Sequence, residues 1–308
     1  MKRILICAAA AIVALASCSK TQVVYNDAPE EIGFKTVTGV MTKANLNATH
    51  TSMGVFAFLN PQASVYFEDT KFTTTSDNKW NGEKYWPIDG EQKIDFVVYA
   101  PSKEDVTNSN AIVNYTDKTL TLTIPDNTPA GDPKKQVDWL YGNTMPQGTK
   151  DGNKTSGVNV QLSHALSKIS VVLTTTETTA FQFVSLTLDG TKQEGTITID
   201  YDASPMSVTP SGANGNYQHS FTGLAADAVI PASMEMGDVL VFPTEATDFT
   251  FKYKMVGSSE ILTQPIPLDG NWDPSKHYTY TINIVGNQIT IIPTVVEWTP
   301  ETSTEIVE

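Results

Sequence analysis

The chain has 308 residues and is acidic, with 34 Asp and Glu residues against 20 Lys and Arg residues and a formal net charge of -14. Arg3 is the only arginine, so the chain lacks the guanidinium groups that neutralise a phosphate backbone, which excludes nucleic acid as an expected partner. At roughly 100 to 200 residues per domain, the length predicts about two domains.

The N-terminal segment is predicted to direct export. Met1-Lys2-Arg3 is cationic, and residues 4–16 are almost wholly apolar but fall short of the roughly 20 residues that a membrane-spanning helix needs. The segment ends in Leu15-Ala16-Ser17-Cys18, which resembles the lipobox of bacterial lipoproteins. The resemblance implies a signal peptide over residues 1–17 and a lipidated Cys18 at the mature N-terminus. The alternative is that Cys18 is an ordinary residue after a conventional cleavage site.

The mature chain is predicted to lack thiol chemistry. Cys7 would be removed with the signal peptide and Cys18 would carry lipid, so no cysteine remains for a disulfide, a metal site or nucleophilic catalysis. No later apolar run reaches 18 residues, so lipid is the only membrane element that we expect. The polar and acidic residues 18–30 are predicted to tether this lipid to the first domain.

The rest of the chain is predicted to be mostly β-strand, because it is rich in threonine and alternates apolar with polar residues in many short runs. β-Branched side chains fit a pleated sheet better than a helix. Helical periodicity is weak, and only residues 163–168 and 225–228 could hold a turn or two. In chain order, the predicted strands include residues 31–37, 55–58, 94–99, 120–124, 181–188, 195–199, 249–253 and 278–284.

Turn-forming residues separate these runs, for example at Asp89-Gly90 and Asp189-Gly190. A regular alternation of short strands and turns is typical of β-sandwiches. The polar run over residues 174–179 lies between two apolar strands and predicts a domain boundary. We therefore expect an N-terminal β-sandwich domain over residues 31–173 and a C-terminal β-sandwich domain over residues 174–308.

Five segments together carry a resemblance to a known family. They are Tyr85-Trp86-Pro87, residues 95–101 (DFVVYAP), residues 137–142 (VDWLYG), residues 160–169 (VQLSHALSKI) and Val295-Val296-Glu297-Trp298. In this order and spacing they are similar to the fimbrillin-like proteins of Bacteroidetes. The resemblance implies two tandem transthyretin-like β-sandwich domains after a lipoprotein signal peptide, a structural or adhesive role in type V pili, and no catalytic activity.

The resemblance also implies a site of maturation. In polymerising members of the family, a trypsin-like protease cuts after a basic residue that follows the first strand, and the loss of this strand opens a groove. Residues 31–37 would be the removable strand here. Lys43 and Ala44 are the candidate cleavage site, although many relatives carry arginine at the position of Lys43, so an arginine-selective protease would not cut. The alternative is that Lys43 is a solvated loop lysine.

The resemblance further implies that a C-terminal strand from a neighbouring subunit fills this groove. Residues 288–298 are the predicted donor because they are apolar on both faces over much of their length, which favours burial on two sides. The alternative is that this segment is the last strand of its own C-terminal domain, and Pro293 suits an edge or a bend in either case. The candidate donor residues are Ile289, Ile291, Ile292, Val295, Val296 and Trp298.

No pattern in the sequence predicts an enzyme, a cofactor or a metal site. The histidines at 50, 164, 219 and 277 have no metal-ligand spacing, and a structural turn is the favoured interpretation of the segment around His164. Trp80 and Trp272 neighbour polar or glycine residues, so they are the candidates if any tryptophan is exposed and stacks on a glycan. The favoured interpretation is that the tryptophans fill the core of a sandwich.

The sequence therefore predicts a structural or adhesive subunit of a type V-like fimbria, exported as a lipoprotein and assembled by strand complementation with other fimbrial subunits. It would be lipid-anchored at the outer membrane on the cell surface, with a host or bacterial surface glycan or protein as a further partner. The alternative, from a different class, is a monomeric outer-membrane surface lipoprotein that binds glycans. The role as stalk, anchor or tip is left open.

Overall fold

A computed structural model describes residues 30–36, 51–74, 79–87, 92–128, 136–147, 157–286 and 288–298 of the chain. Within these residues the regular structure consists of 20 β-strands and one 3-10 helix at Lys103–Asp105, with no α-helix. The prediction of an all-β protein is confirmed. The two short segments in which a helical turn could have formed, residues 163–168 and 225–228, hold strand ends and a turn instead.

The strands follow the predicted period-two runs closely. The first ten are β1 (Glu31–Thr36), β2 (Ser52–Asn60), β3 (Ser64–Thr74), β4 (Lys79–Tyr85), β5 (Lys93–Ala100), β6 (Asn110–Asn114), β7 (Thr119–Ile124), β8 (Leu140–Gln147), β9 (Val158–Val160) and β10 (Ser163–His164). The last ten are β11 (Ser167–Thr175), β12 (Phe181–Thr191), β13 (Glu194–Asp200), β14 (Ser207–Asn214), β15 (Tyr217–Phe221), β16 (Ser233–Val241), β17 (Phe249–Met255), β18 (Leu262–Ile266), β19 (Lys276–Val285) and β20 (Gln288–Glu297).

The N-terminal part of the fold is built on an eight-stranded sheet with the order β10-β8-β5-β2-β3-β4-β1-β9. Its central strands β2 and β5 are buried on both faces. One face carries Val55 and Phe96 into a core that also contains both apolar side chains of β1. The other face carries Phe56 and Val97 into a second core. Two-sided burial explains why these two strands are nearly continuous apolar runs in the sequence.

A four-stranded sheet with the order β14-β13-β7-β6 supplies the other side of this second core. Ile197 and Ile199 of β13 have no exposed surface and lie in the same core as Leu120 and Leu122 of β7. β13 and β7 pair antiparallel from Gly195 opposite Ile124 to Asp200 opposite Thr119. A hairpin from the second half of the chain therefore completes the sandwich of the first half.

The C-terminal part is a sandwich of two four-stranded sheets, ordered β16-β11-β19-β20 and β15-β12-β17-β18. The inward side chains of both sheets form a third core, in which Phe181, Phe249 and Ile282 are fully buried. β11 runs parallel to β19 and antiparallel to β16, and β20 lies at the edge of its sheet. The sandwich class that the strand and turn pattern predicted is therefore present.

The boundary predicted between residues 173 and 174 lies inside β11. This strand belongs to the C-terminal sandwich over its whole length, while the β13–β14 hairpin, which follows the boundary, pairs with β7. A buried amide adds a further link, because Gln136 Nε2 donates to the Leu240 carbonyl at 2.7 Å and its Oε1 accepts from the Leu240 N–H at 2.8 Å. The division of the chain into two domains with the bounds given above stays a prediction.

Candidate functional site

β1 is the strand that the sequence predicted to be removable. It pairs antiparallel with β4 and parallel with β9, so both of its edges are hydrogen-bonded within the eight-stranded sheet. Ile32 and Phe34 are both 0% exposed. The Phe34 ring meets those of Phe72 and Phe96 edge-on, at centroid distances of 5.2 and 5.0 Å. Loss of β1 would therefore leave two unpaired strand edges and a pocket lined by aromatic rings.

β20 is the strand that the sequence predicted to be donated. It pairs with β19 at ten positions, from Gln288 opposite Val285 to Glu297 opposite Lys276. Its other edge has no strand partner among the described residues. In this conformation it is the last strand of its own sheet, as the alternative interpretation holds, and it is not buried on two sides. Ile289 and Ile291 are partly buried against the C-terminal core, whereas the exposed fractions of Ile292, Val295 and Val296 are 58%, 50% and 50%.

The end of β20 is attached to the N-terminal part of the fold. The Trp298 indole stacks on the His164 imidazole with centroids 3.6 Å apart and an interplanar angle of 4°. His164 Nδ1 lies 2.9 Å from the Asp138 carboxylate, and Lys276 forms an ion pair with Glu297. Both Trp298 and His164 lie in segments that carry the family resemblance, but nothing in the sequence indicates that their rings are in contact.

Trp80 and Trp272 are buried, as the favoured core interpretation holds, so the candidate glycan contact at these two rings is wrong. They are 2% and 1% exposed, respectively. Trp80 lies in the core inside the eight-stranded sheet, and Trp272 lies in the C-terminal core, where its Nε1 donates to the Tyr280 hydroxyl at 2.9 Å. Polar neighbours such as Asn81 do not indicate exposure, because successive side chains of a strand point to opposite faces. Neither ring is available to stack on a sugar.

Ser170, Asp238 and His277 form a hydrogen-bonded chain that the sequence did not indicate. Ser170 Oγ lies 2.6 Å from Asp238 Oδ1 and 2.7 Å from His277 Nε2, and Lys168 Nζ lies 3.0 Å from Asp238 Oδ2. Burial and the nearby Lys168 ammonium lower the pKa of His277, while Asp238 opposes this shift. Since the single Ser170 proton is directed to Asp238, His277 must donate to Ser170 and cannot act as its base. The arrangement provides no activated nucleophile.

The remaining candidate residues, Cys18, Lys43 and Ala44, lie outside the described residues, so their roles stay predictions. The described part of the chain contains no group of three or more His, Cys, Asp or Glu side chains that could hold a metal ion. In that same part, no helix is long and apolar enough to cross a membrane.

The sequence profile of a family described as fimbrillin-like matches residues 38–298. A fimbrial protein from Bacteroides vulgatus has a similar structure, with a TM-score of 0.65, 18% identity, and coverage of 88% of this chain and 100% of that one. A candidate cell adhesion protein from Bacteroides uniformis has a TM-score of 0.53, 16% identity, and coverage of 87% and 98%. The tip fimbrial protein Mfa3 from Porphyromonas gingivalis, truncated at its C-terminus, has a TM-score of 0.50, 9% identity, and coverage of 87% and 100%. No curated protein sequence matches this chain.

Proposed function

Because the chain belongs to the fimbrillin-like family, we propose that it is a structural or adhesive subunit of a type V-like fimbria, exported as a lipoprotein and assembled by strand complementation with other subunits. The observation that carries this proposal is the position of β1. A six-residue strand lies between two strands of the same sheet and inserts two fully buried side chains into the core. Such a strand can be replaced by a segment of matching shape from another subunit.

The acceptor would be the groove that β1 leaves. Burial of Ile32 and Phe34 is worth roughly 1.5 to 3 kcal/mol each, or about 3 to 6 kcal/mol together. The groove would also expose the backbone N–H and C=O groups of β4 and β9 that now pair with β1. A donor with apolar side chains two residues apart would satisfy both requirements, since such side chains share one face of a strand.

The donor would be β20. Ile292 and Val296 share one face of β20 and are half exposed at the edge of their own sheet, so transfer into a groove would bury apolar surface that is now in water. Two half-exposed side chains of this size correspond to roughly 1.5 to 3 kcal/mol of further burial. The ten pairings with β19 would be exchanged for pairings with the acceptor. The free-energy change from this exchange is small, because the backbone hydrogen bonds that are lost are formed again in the acceptor.

Limited trypsin treatment of the mature protein tests the assembly. We expect cleavage after Lys43 and a new N-terminus at Ala44. In gel electrophoresis the cleaved protein should form a ladder of oligomer bands that survive dodecyl sulfate and disappear on heating. The Lys43→Ala variant is the matched control and should stay monomeric, and removal of residues 288–308 should abolish the ladders without preventing cleavage. Cleaved protein that stays monomeric would refute strand complementation.

Export and anchoring require a separate measurement. Metabolic labelling with palmitate, followed by N-terminal analysis of the protein from intact cells, should find an acylated precursor that begins at Cys18 and an assembled, unlabelled subunit that begins at Ala44. The Cys18→Ala variant should lose the label and leave the outer-membrane fraction. Protease treatment of intact cells then tests the surface orientation, because a surface-exposed subunit is cut and one that faces the periplasm is protected.

A further inference from the structure

A cleft of about 610 Å³ lies where β8, the β13–β14 hairpin and the start of β19 meet. Its volume is within the range of about 300 to 1,000 Å³ that is usual for small-molecule sites. It involves neither β1 nor the two buried tryptophans. The cleft is lined by five parts of the chain that are far apart in sequence, so no local motif could have indicated it. They are residues 141–143, 161–163, 205–208, 274–276 and Glu297 at the end of β20.

Neutral hydrogen-bonding groups line part of the cleft. They are the amides of Asn143 and Gln161 and the hydroxyls of Tyr141, Ser163 and Ser275, of which Ser275 Oγ also donates to the His164 carbonyl. The Asn143 amide is oriented by a hydrogen bond from its Nδ2 to the Tyr201 carbonyl, which leaves its oxygen and second N–H for a ligand. Burial raises the pKa of Tyr141, while hydrogen bonds with Ser275 and Ser163 oppose this shift, so the phenol is neutral at physiological pH. Amides and hydroxyls can both donate and accept, as a polyhydroxylated ligand requires.

The charged groups of the cleft are balanced. Lys276 and Glu297 both line it and form an ion pair with each other. An anionic ligand would compete with Glu297 for the lysine, and the only arginine of the sequence is Arg3. A cationic ligand would likewise compete with Lys276 for the carboxylate. The electrostatics therefore favour an uncharged ligand.

Apolar side chains also line the cleft. They belong to Pro205, Met206, Val208 and Pro274, and Met206 and Val208 are partly buried against the second core. A pyranose ring carries hydroxyls around its edge and C–H groups on its faces, so it matches a lining that offers both neutral polar and apolar groups. We propose that this cleft binds a neutral oligosaccharide.

Binding is measured by calorimetry on the mature, uncleaved monomer, so the result does not depend on strand complementation. The probes are neutral trisaccharides of glucose, galactose, mannose and N-acetylglucosamine, with trigalacturonate as the anionic comparison and tetra-alanine as a peptide. We expect at least one neutral trisaccharide to bind, at least tenfold more tightly than trigalacturonate or tetra-alanine.

Two variants locate the binding in the cleft. Gln161→Ala removes an exposed amide from the lining of the cleft and should weaken binding at least tenfold. Met206→Trp should abolish binding because the larger side chain fills the cleft. Gln264→Ala removes an exposed amide from β18 in the other sandwich and should leave affinity unchanged. The proposal is overturned if no neutral trisaccharide binds, if trigalacturonate or tetra-alanine binds as tightly, or if Gln161→Ala and Gln264→Ala behave alike.

Discussion

Single buried side chains determine how this protein responds to pH and to truncation of its core. His219 is the clearest case, because it is buried on β15 with the Phe221 ring edge-on at a centroid distance of 4.7 Å. Burial lowers the pKa of His219 to about 4 from its ordinary value of 6.5. The imidazole is therefore neutral in the folded protein at pH values where it is protonated in the unfolded chain.

The free energy of unfolding should consequently fall as the pH falls from 6.5 to 4. In this interval the unfolded state binds the proton and the folded state does not, so stability rises with pH and is fully present above 6.5. A difference of about 2.5 pKa units corresponds to about 3 kcal/mol. Urea denaturation should show that the free energy of unfolding falls more between pH 7 and pH 5 for the wild type than for His219→Phe. Equal pH dependence of the two proteins would contradict this account.

A substitution of Phe34 measures how much β1 contributes to the stability of the core. Phe34→Ala should lower the free energy of unfolding by about 3 to 5 kcal/mol, because the ring is fully buried between Phe72 and Phe96. After proteolytic removal of β1, the wild type and the variant should have the same stability, since they then have the same sequence. A difference that persists after cleavage would mean that β1 had stayed in place.

At the scale of the element, β1 and β20 differ in how they are held. β1 is bonded along both edges, whereas β20 is bonded along one and relies on contacts at its end. The stack of Trp298 on His164 is the main such contact, with the ion pair of Lys276 and Glu297 beside it. An exposed ion pair contributes little, so the aromatic stack should control how often the end of β20 detaches.

Trp298→Ala should therefore loosen β20. An aromatic pair contributes about 0.5 to 1.5 kcal/mol beyond its buried area, and a loss of about 1.4 kcal/mol corresponds to a tenfold larger equilibrium constant for opening. Hydrogen exchange should show up to tenfold weaker protection of the amides in β20, with protection of β12 unchanged. Ile292→Ala is the control, because its side chain is 58% exposed and makes little contact within the monomer. Equal protection in both variants would show that the stack does not hold the strand.

The sequence identified the strands with the clearest alternation but not their neighbours. β12 and β13 show the same period-two alternation, and both were predicted, yet β12 pairs with β15 and β17 while β13 pairs with β14 and β7. Alternation indicates which side chains share a face, and it carries no information about the strand that lies alongside. The same limit explains why the burial of Trp80 could not be predicted from its neighbours in the sequence, because that burial depends on the other strands of its sheet. The cleft lined by Gln161 and Met206 could not be predicted because its walls meet only in the folded chain.

At the scale of the whole molecule, the two sandwiches are joined by the β13–β14 hairpin, which pairs with β7. The β13–β14 hairpin leaves the C-terminal sheets, completes the sheet of β6 and β7, and returns to β15. Gln136, which is 1% exposed, bonds both backbone groups of Leu240 on the edge strand β16. Loss of this amide would leave two buried backbone groups unpaired, so the two parts should depend on each other for stability.

This dependence predicts the behaviour of an isolated N-terminal half. Residues 31–173 should not fold cooperatively when expressed alone, because without the β13–β14 hairpin β7 loses one of its two strand partners and the second core loses Ile197 and Ile199. Loss of these two fully buried side chains removes roughly 3 to 6 kcal/mol of apolar burial, comparable to the whole stability of a domain. Heteronuclear NMR should show poorly dispersed amides and urea should produce no sharp transition. A synthetic peptide of residues 194–214 should restore both features, whereas the same peptide with Ile197→Ser and Ile199→Ser should not. If residues 31–173 unfold cooperatively without the peptide, the β13–β14 hairpin is not needed for folding of the N-terminal part and the two halves are independent.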